Sequence, residues 1–241
     1  MTTSPGMLRV IASHETSSET HEVHVARTDR DGFDFVGGQY IIVNTGVFLP
    51  GGKPAKRAYS LLPSKTDPGG CVLTVKRIGV GSTALASASA GTELAFSGPW
   101  GKLVSPDDAH LRTLFVATDT GITAALGAAE RAHPRRAPAD LRVLWLRSKD
   151  DPFLDVEQAV LRIERTGATC AHACIPEVGH AERDPLARAR IAAEIRDFAP
   201  SLVLAAGDGN IVHPLRDAHR PPSLRDVRIE CFFHNPERKA G

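Results

Sequence analysis

Leu114–Gly127 reads LFVATDTGITAALG: an apolar run, a short polar turn, then Ile122, Ala125, Leu126 and Ala129 at i, i+3, i+4 and i+7. A buried strand that runs through a tight turn into a helix aims backbone N–H groups at an anion. In doubly wound sheets the first such turn is the ordinary place for a phosphate. Here the tip carries Asp119, an acid where the anion would sit. The turn holds one glycine, Gly121, so by itself it identifies no ligand.

Downstream the same rhythm persists. The runs LRTLFVA, LRVLWLR, ATCAHACI, SLVLAAG and VRIECFF are near-continuous in apolar residues, and helical spacings such as Ile191, Ile195 and Phe198 lie between them. Apolar strands alternating with helices predict βαβ units and a parallel sheet covered on both faces. Upstream the pattern is different. THEVHVART, QYIIV, KRAYSLL, CVLTVKRI and TELAFSG are short, β-branched and partly alternating, and turn clusters such as RTDRDG, LPGGKP and KTDPGG separate them. These runs predict a small antiparallel barrel or sandwich. The fold class is therefore α+β with two domains, dividing near SPDDA into residues 1–107 and 108–241.

The 241 residues carry a net charge of +1 with both signs interspersed, which provides neither a basic stripe for nucleic acid nor a polybasic patch for a membrane. MTTSPGMLRV has no secretory pattern and no apolar run is long enough to span a bilayer, so a soluble cytoplasmic protein is expected. The cysteines, Cys71, Cys170, Cys174 and Cys231, form no C-x-x-C, and CAHAC would place Cys170, His172 and Cys174 on one face of a strand. A metal there would want a fourth ligand, and the favoured reading is small residues buried in a sheet. The histidines form no H-E-x-x-H, the chain has no Walker-type G-K-[ST], and the glycine pair Gly79/Gly81 stands in the β half.

RAYSLLPS, Arg57–Ser64, carries more information. Its R-x-Y-S resembles the flavin-binding mark of the ferredoxin–NADP reductase superfamily, and GQYIIV just upstream resembles that family's G-Q-[YF] strand. The resemblance implies a six-stranded flavin barrel followed by a five-stranded NAD(P) domain. It implies that Arg57 pairs with the FAD pyrophosphate, Tyr59 packs on the isoalloxazine and Ser60 lies near flavin N5, with Ala58 between them. These residue types suit the tasks, since a planar guanidinium matches phosphate oxygens and an aromatic face covers a flat ring. VKRIGVGSTALAS, with the Thr74-Val75-Lys76 strand end before it, resembles the segment where Gly81, Ser82 and Thr83 give donors to the flavin phosphates. FSGPWGKL resembles the barrel-closing G-P-x-G turn, with Gly98, Pro99 and Gly101 matched.

In the second half VATDTGIT resembles V-A-G-G-T-G-I-T, implying that Thr120 and Gly121 meet a pyridine-nucleotide pyrophosphate. LVLAAGDGNIVHPLRD resembles the C-G-x-x strand end beside the nicotinamide, implying roles for Gly207 and Asp208, and Phe232 or Phe233 of the last strand would cover that site. His213 faces the nicotinamide or, as favoured, a helix surface. Arg147, Ser148 and Lys149 of WLRSKDD, with Arg183 and Arg188 of ERDPLARAR, are candidates for a 2′-phosphate, leaving NADP and NAD both open. Three departures fall in this half: Thr118-Asp119 replaces the paired glycines, Ala124 replaces a proline and Ala206 replaces the cysteine. Asp119 either caps the helix or points to solvent, the favoured reading, or it repels the pyrophosphate.

The implied activity is an FAD-dependent NAD(P)H oxidoreductase that passes hydride to flavin N5 and then single electrons to a separate acceptor. Ferredoxin, flavodoxin, an oxygenase component and a small oxidant such as a ferric chelate or free flavin are the candidates, because the cysteines supply no fused iron–sulfur domain. The alternative is a flavin-binding relay or sensor subunit with weak or no NAD(P)H oxidation.

Overall fold

The computed structural model describes residues 6–29, 32–104, 111–131, 140–151, 153–217 and 221–233. Its first half is closed by a single run of chain that changes partner. Pro54–Ser60 (β4) pairs with Tyr40–Phe48 (β3), and one residue later Leu62–Pro63 (β5) pairs with Cys71–Lys76 (β6). With Gly6–Ser17 (β1), Thr20–Arg27 (β2) and Glu93–Trp100 (β7), the order is β4-β3-β7-β1-β2-β6-β5, antiparallel throughout. Because β4 and β5 are continuous, the two edges of the sheet meet and the six full strands form a barrel with no long free edge. Alternate residues turn inward, among them Leu8, Val10, Val23, Val25, Ile41, Val43, Leu73, Val75 and Phe96. The helix Val80–Ala86 (α1) adds Leu85 and Ala86 to this core.

The second half is a parallel sheet of Thr113–Thr118 (β8), Leu141–Ser148 (β9), Thr169–Ile175 (β10), Leu202–Asp208 (β11) and Asp226–Phe233 (β12), in the order β10-β9-β8-β11-β12. Period-two alternation divides each strand between two cores. Phe115, Ala117, Val143 and Trp145 meet the helices Ile122–Glu130 (α2) and Val156–Glu164 (α3). Leu114, Val116, Leu144 and Leu146 meet Arg183–Phe198 (α4) and Gly209–Val212 (α5). The order reverses between β8 and β11, so the crevice of this sheet opens over their carboxyl ends, at the turn that holds Asp119.

The two halves share a packed seam. Leu62, Val72 and Leu103 of the barrel belong to the same buried cluster as α2. Gly37 approaches α2 so closely that a β-carbon there would stand 2.2 Å from the carbonyl oxygen of Gly127. Lys76 of β6 pairs with Asp151 beyond β9, and Arg162 of α3 reaches Glu22 of β2 at 3.1 Å. These ties fix the cleft between barrel and sheet.

Three sequence expectations are modified. Strand β1, the longest in the barrel, is not among the runs singled out from sequence, because exposed Met7 and Ile11 interrupt the apolar alternation of Leu8 and Val10. CAHAC does form a strand, but β10 lies at the sheet edge, leaving His172 and Cys174 exposed and Cys170 half-buried rather than in the core. The expected boundary at residues 107/108 lies outside the described residues.

At the crevice Gly207 adopts φ of 125°, and a β-carbon on it would stand 2.1 Å from Thr118 Oγ1 and 2.4 Å from the Thr118 carbonyl oxygen. Gly207→Ala must therefore move β11 away from β8 in a conformation that L side chains rarely adopt. Denaturant melts are expected to show a loss of about 2–4 kcal/mol.

Candidate active site

The barrel wall of the cleft is built from strand alternation. Ile41 and Val43 of β3 point into the barrel core, so Tyr40 and Ile42 point out toward the cleft, opposite Ser60 and Ala58 across the β3–β4 ladder. Arg57, Ala58, Tyr59 and Ser60 of β4, Thr74 and Lys76 of β6, and Ile78, Gly79 and Ser82 beyond them complete this lining, with Tyr59, opposite core-facing Ile41, also part of the barrel core. The cleft measures about 610 Å³. Three of its hydroxyls, Tyr59 Oη, Ser60 Oγ and Thr74 Oγ1, are buried without a hydrogen-bond partner among the described residues. Buried polar atoms of Ser17, Thr20, His21, Arg147 and Asn210 are likewise unpartnered among the described residues, and what sets these three apart is that all belong to residues lining one cleft. Burial also pushes the Tyr59 phenol well above its ordinary pKa and keeps it a neutral donor. Arg57, half-buried, lines the cleft and donates to the Lys56 carbonyl oxygen at 2.8 Å.

The opposite wall comes from the parallel sheet. Thr120 and Thr123 project from the turn after β8, with Thr123 Oγ1 donating to the Thr120 carbonyl oxygen at 2.9 Å. Phe153, Glu230, Cys231 and Phe232 complete the lining. Glu230 accepts from the Lys102 backbone N–H, and burial raises its carboxyl pKa while Lys102 draws it back.

Asp119 takes neither of the places expected for it. It stands at φ of 47°, the left-handed conformation a glycine would adopt at no cost, and its carboxylate turns beneath the turn instead of capping α2 or facing solvent. There Oδ1 accepts from Ser148 N at 3.1 Å and Ser148 Oγ at 3.2 Å, and Oδ2 is ion-paired with Arg183. Arg183, at the start of α4, is fully buried. Besides Asp119 it reaches Asp208 Oδ2 at 3.2 Å, Ser148 Oγ at 3.2 Å and the Pro176 carbonyl oxygen at 2.6 Å. Burial raises the Asp119 carboxyl pKa, and Arg183 with the Ser148 N–H lowers it again. Arg183 is therefore not a 2′-phosphate ligand, since its donors are spent inside the protein.

Other expected site residues divide by geometry. Val75 points into the barrel core while its neighbours Thr74 and Lys76 line the cleft, as period two requires. Gly81 packs its α-carbon against Thr45 and Ala55, and exposed Thr83 lies off the cleft lining. The Ser82 hydroxyl accepts from Ile78 N and Gly79 N at 3.0 and 3.1 Å and donates to the Gly79 carbonyl oxygen, so it organises the start of α1 and has no proton left for a phosphate. Gly121 is a packing glycine, since a β-carbon there would meet the Ala206 carbonyl oxygen at 2.2 Å. Asp208 is fully buried; its Oδ1 accepts from Asn210 N at 3.0 Å and its own N–H donates to Thr118 Oγ1 at 2.6 Å. Arg147 folds back to the carbonyl oxygens of Ser148 and Lys149, and Lys149 is exposed. His213 is exposed and off the lining, and Phe232 rather than Phe233 enters the cleft. Sequence reasoning missed Ile42, Phe153 and Glu230; Ile42 alone carried a signal, through its alternation with Tyr40.

An antiparallel barrel facing the switch point of a doubly wound sheet defines a two-domain α+β protein with a cleft between its halves. Residues 7–104 match the profile of the oxidoreductase FAD-binding domain. It is 35% identical over 121 residues to ferredoxin–NADP reductase B of Sorangium cellulosum, covering 49% of this chain and 48% of that one. The chain thus spans about half the length of this curated relative. Among solved structures it resembles the Amycolatopsis cytochrome P450 reductase GcoB (TM-score 0.70, 18% identity, 96% of this chain and 71% of that one). It also resembles the ferredoxin reductase in carbazole 1,9a-dioxygenase (TM-score 0.70, 17% identity, 97% and 70%). At these identities the two structures establish the fold.

The matched profile is that of an FAD-binding domain, and the barrel wall fits such a cofactor: a guanidinium for phosphate, an aromatic ring, and three buried hydroxyls without partners among the described residues. Arg57→Ala combined with Tyr59→Ala is expected to yield folded protein that loses its flavin absorbance on dialysis. Thr74→Val removes a buried orphan hydroxyl at constant shape. The apoprotein is expected to gain about 1 kcal/mol in thermal melts while its FAD affinity falls, and a loss in both would remove Thr74 from the site.

Proposed function

We propose that the chain is an FAD-dependent NAD(P)H oxidoreductase that delivers electrons to a separate acceptor, with residues 1–107 as flavin domain and 108–241 as nucleotide domain. The observation that carries this reading is the convergence of Tyr59, Ser60 and Thr74, as unpartnered buried hydroxyls, on a cleft whose far wall is the switch point of the sheet. FAD, when bound, supplies an isoalloxazine that takes an electron pair from NAD(P)H and releases electrons singly. Everything else is positioning by the chain. Arg57 anchors phosphate, the Tyr59 ring covers a planar face and its hydroxyl donates without ionising, and Ser60 presents a small donor that leaves the approach open. Thr120 presents its polar groups where a dinucleotide would lie, Thr123 stands beside it with its hydroxyl already donating to the Thr120 carbonyl oxygen, and Phe153 and Phe232 close the cleft to water.

The relatives support a class of acceptor. One is a ferredoxin–NADP reductase, one a cytochrome P450 reductase and one the ferredoxin reductase of a dioxygenase, which supports a small redox protein or an oxygenase component as partner. No helix among the described residues is long and apolar enough to cross a membrane. Two basic side chains near the nucleotide wall, Arg147 and Lys149, leave NADP and NAD both as candidate donors.

Anaerobic addition of NADPH or NADH to the purified yellow protein is expected to bleach the flavin band with at least one donor. Ser60→Ala is expected to retain FAD and slow that bleaching by roughly tenfold or more. A flavin band that stays oxidised with both donors would replace this reading with that of a relay or sensor subunit.

A further inference from the structure

The carboxyl ends of β8, β9, β10 and β11 are drawn onto one side chain. Arg183 pairs with Asp119 of the turn after β8, contacts Ser148 Oγ at the end of β9, donates to the Pro176 carbonyl oxygen after β10, and reaches Asp208 Oδ2 at the end of β11. Four strand ends meet where a doubly wound sheet takes its ligand, and the guanidinium is fully buried beneath them. Asp119 itself holds the left-handed conformation suited to glycine, with its backbone oxygen accepting from Trp145 Nε1 at 3.0 Å. The acid is thus pinned at both ends, and its charge lies below the turn, on the side away from the cleft that Thr120 and Thr123 line.

We propose that Arg183 is the positioning residue of the nucleotide wall: it neutralises Asp119 beneath the phosphate-facing turn, so that the chain tolerates an acid where a dinucleotide pyrophosphate must approach. This rests on the functional reading above. An unpaired carboxylate under that turn would oppose an anion at close range in a water-poor site, where like charges interact most strongly. With Arg183 present, Asp119 meets the ligand ion-paired and hydrogen-bonded instead of bare, although the guanidinium also serves Asp208 and the cluster of one cation and two carboxylates is not itself neutral. A second consequence follows: restoring glycine at position 119 gains little, because Arg183 already screens Asp119 at hydrogen-bond range and would lose one of its two acids.

The test is equilibrium binding of NADP+ and of NAD+ by calorimetry to FAD-loaded protein, following whichever binds more tightly. Arg183→Gln is expected to retain FAD and weaken dinucleotide binding by about tenfold or more. Adding Asp119→Asn, which keeps an acceptor for Ser148 and tolerates the left-handed backbone, is expected to bring Kd back to within about threefold of the parent. A purely structural Arg183 would show no such rescue. An Arg183→Gln protein with unchanged Kd, or a double variant as weak as the single one, overturns the proposal. Should Arg183→Gln fail to fold, Asp119→Gly in the parent decides. Unchanged or weaker binding supports the proposal, and a Kd lowered by about tenfold overturns it. A parent protein that binds neither dinucleotide overturns the functional reading, and the inference with it.

Discussion

The parallel sheet depends on how it buries a guanidinium. Moving an arginine out of water costs several kcal/mol after relaxation, and only close ionic and hydrogen-bonding partners repay it. Arg183 finds them in Asp119, Asp208, Ser148 and the Pro176 carbonyl oxygen, each at the end of a different strand or just beyond it. Because the four contributors are far apart in sequence, the ion fixes their relative heights and directions together. Removing any one leaves the others facing an incompletely paired charge in a medium of low dielectric. The turn after β8 owes its shape to this constraint, and with it the placement of Thr120 and Thr123 at the cleft.

A second constraint sets the distance between the walls. The barrel is closed by a strand that leaves β3 and joins β6 without interruption, and Leu62 of that strand also enters the core beneath α2. The closing strand of one domain is therefore part of the packing of the other. Glycines at 37 and 127 permit backbone contact along this seam, and Lys76, itself on the cleft wall, is tied to Asp151 of the opposite half. Such a seam resists the hinge opening expected of two domains joined only by a polar interface.

Much of this architecture was legible in the chain. The switch from period-two runs to apolar strands alternating with helices separated the halves, and RAYS with GQYIIV located the barrel wall. What escaped was of two kinds. Strand β1 hid because its outward positions carry Met7 and Ile11, which erase the alternation that announces a half-buried strand. The role of Asp119 hid because it is not local: the partner lies 64 residues away, and a sequence shows an arginine in ERDP without showing that α4 begins under the ends of three other strands. Likewise Ser82 stands where a phosphate donor is expected, yet its hydroxyl is consumed within four residues by the cap of α1, a competition that residue type alone does not reveal.

The two walls differ in a way that suits different ligands. On the barrel side, hydroxyls of Tyr59, Ser60 and Thr74 are buried and unpartnered, so a cofactor that satisfies them removes a standing penalty from the folded protein and is held correspondingly tightly. On the sheet side, Asp119, Asp208 and Ser148 are already satisfied by Arg183, and Thr118 by the Asp208 N–H, while Arg147 Nε and Asn210 Nδ2 are buried without a partner among the described residues. A ligand arriving there relieves no comparable debt and can gain only from the Thr120 and Thr123 surface and from apolar cover by Phe153 and Phe232. The reductase proposed above has to keep its flavin through many turnovers and release its nucleotide after each. Three unmet hydroxyls on the barrel wall, facing strand-end carboxylates that are already paired, separate those two affinities.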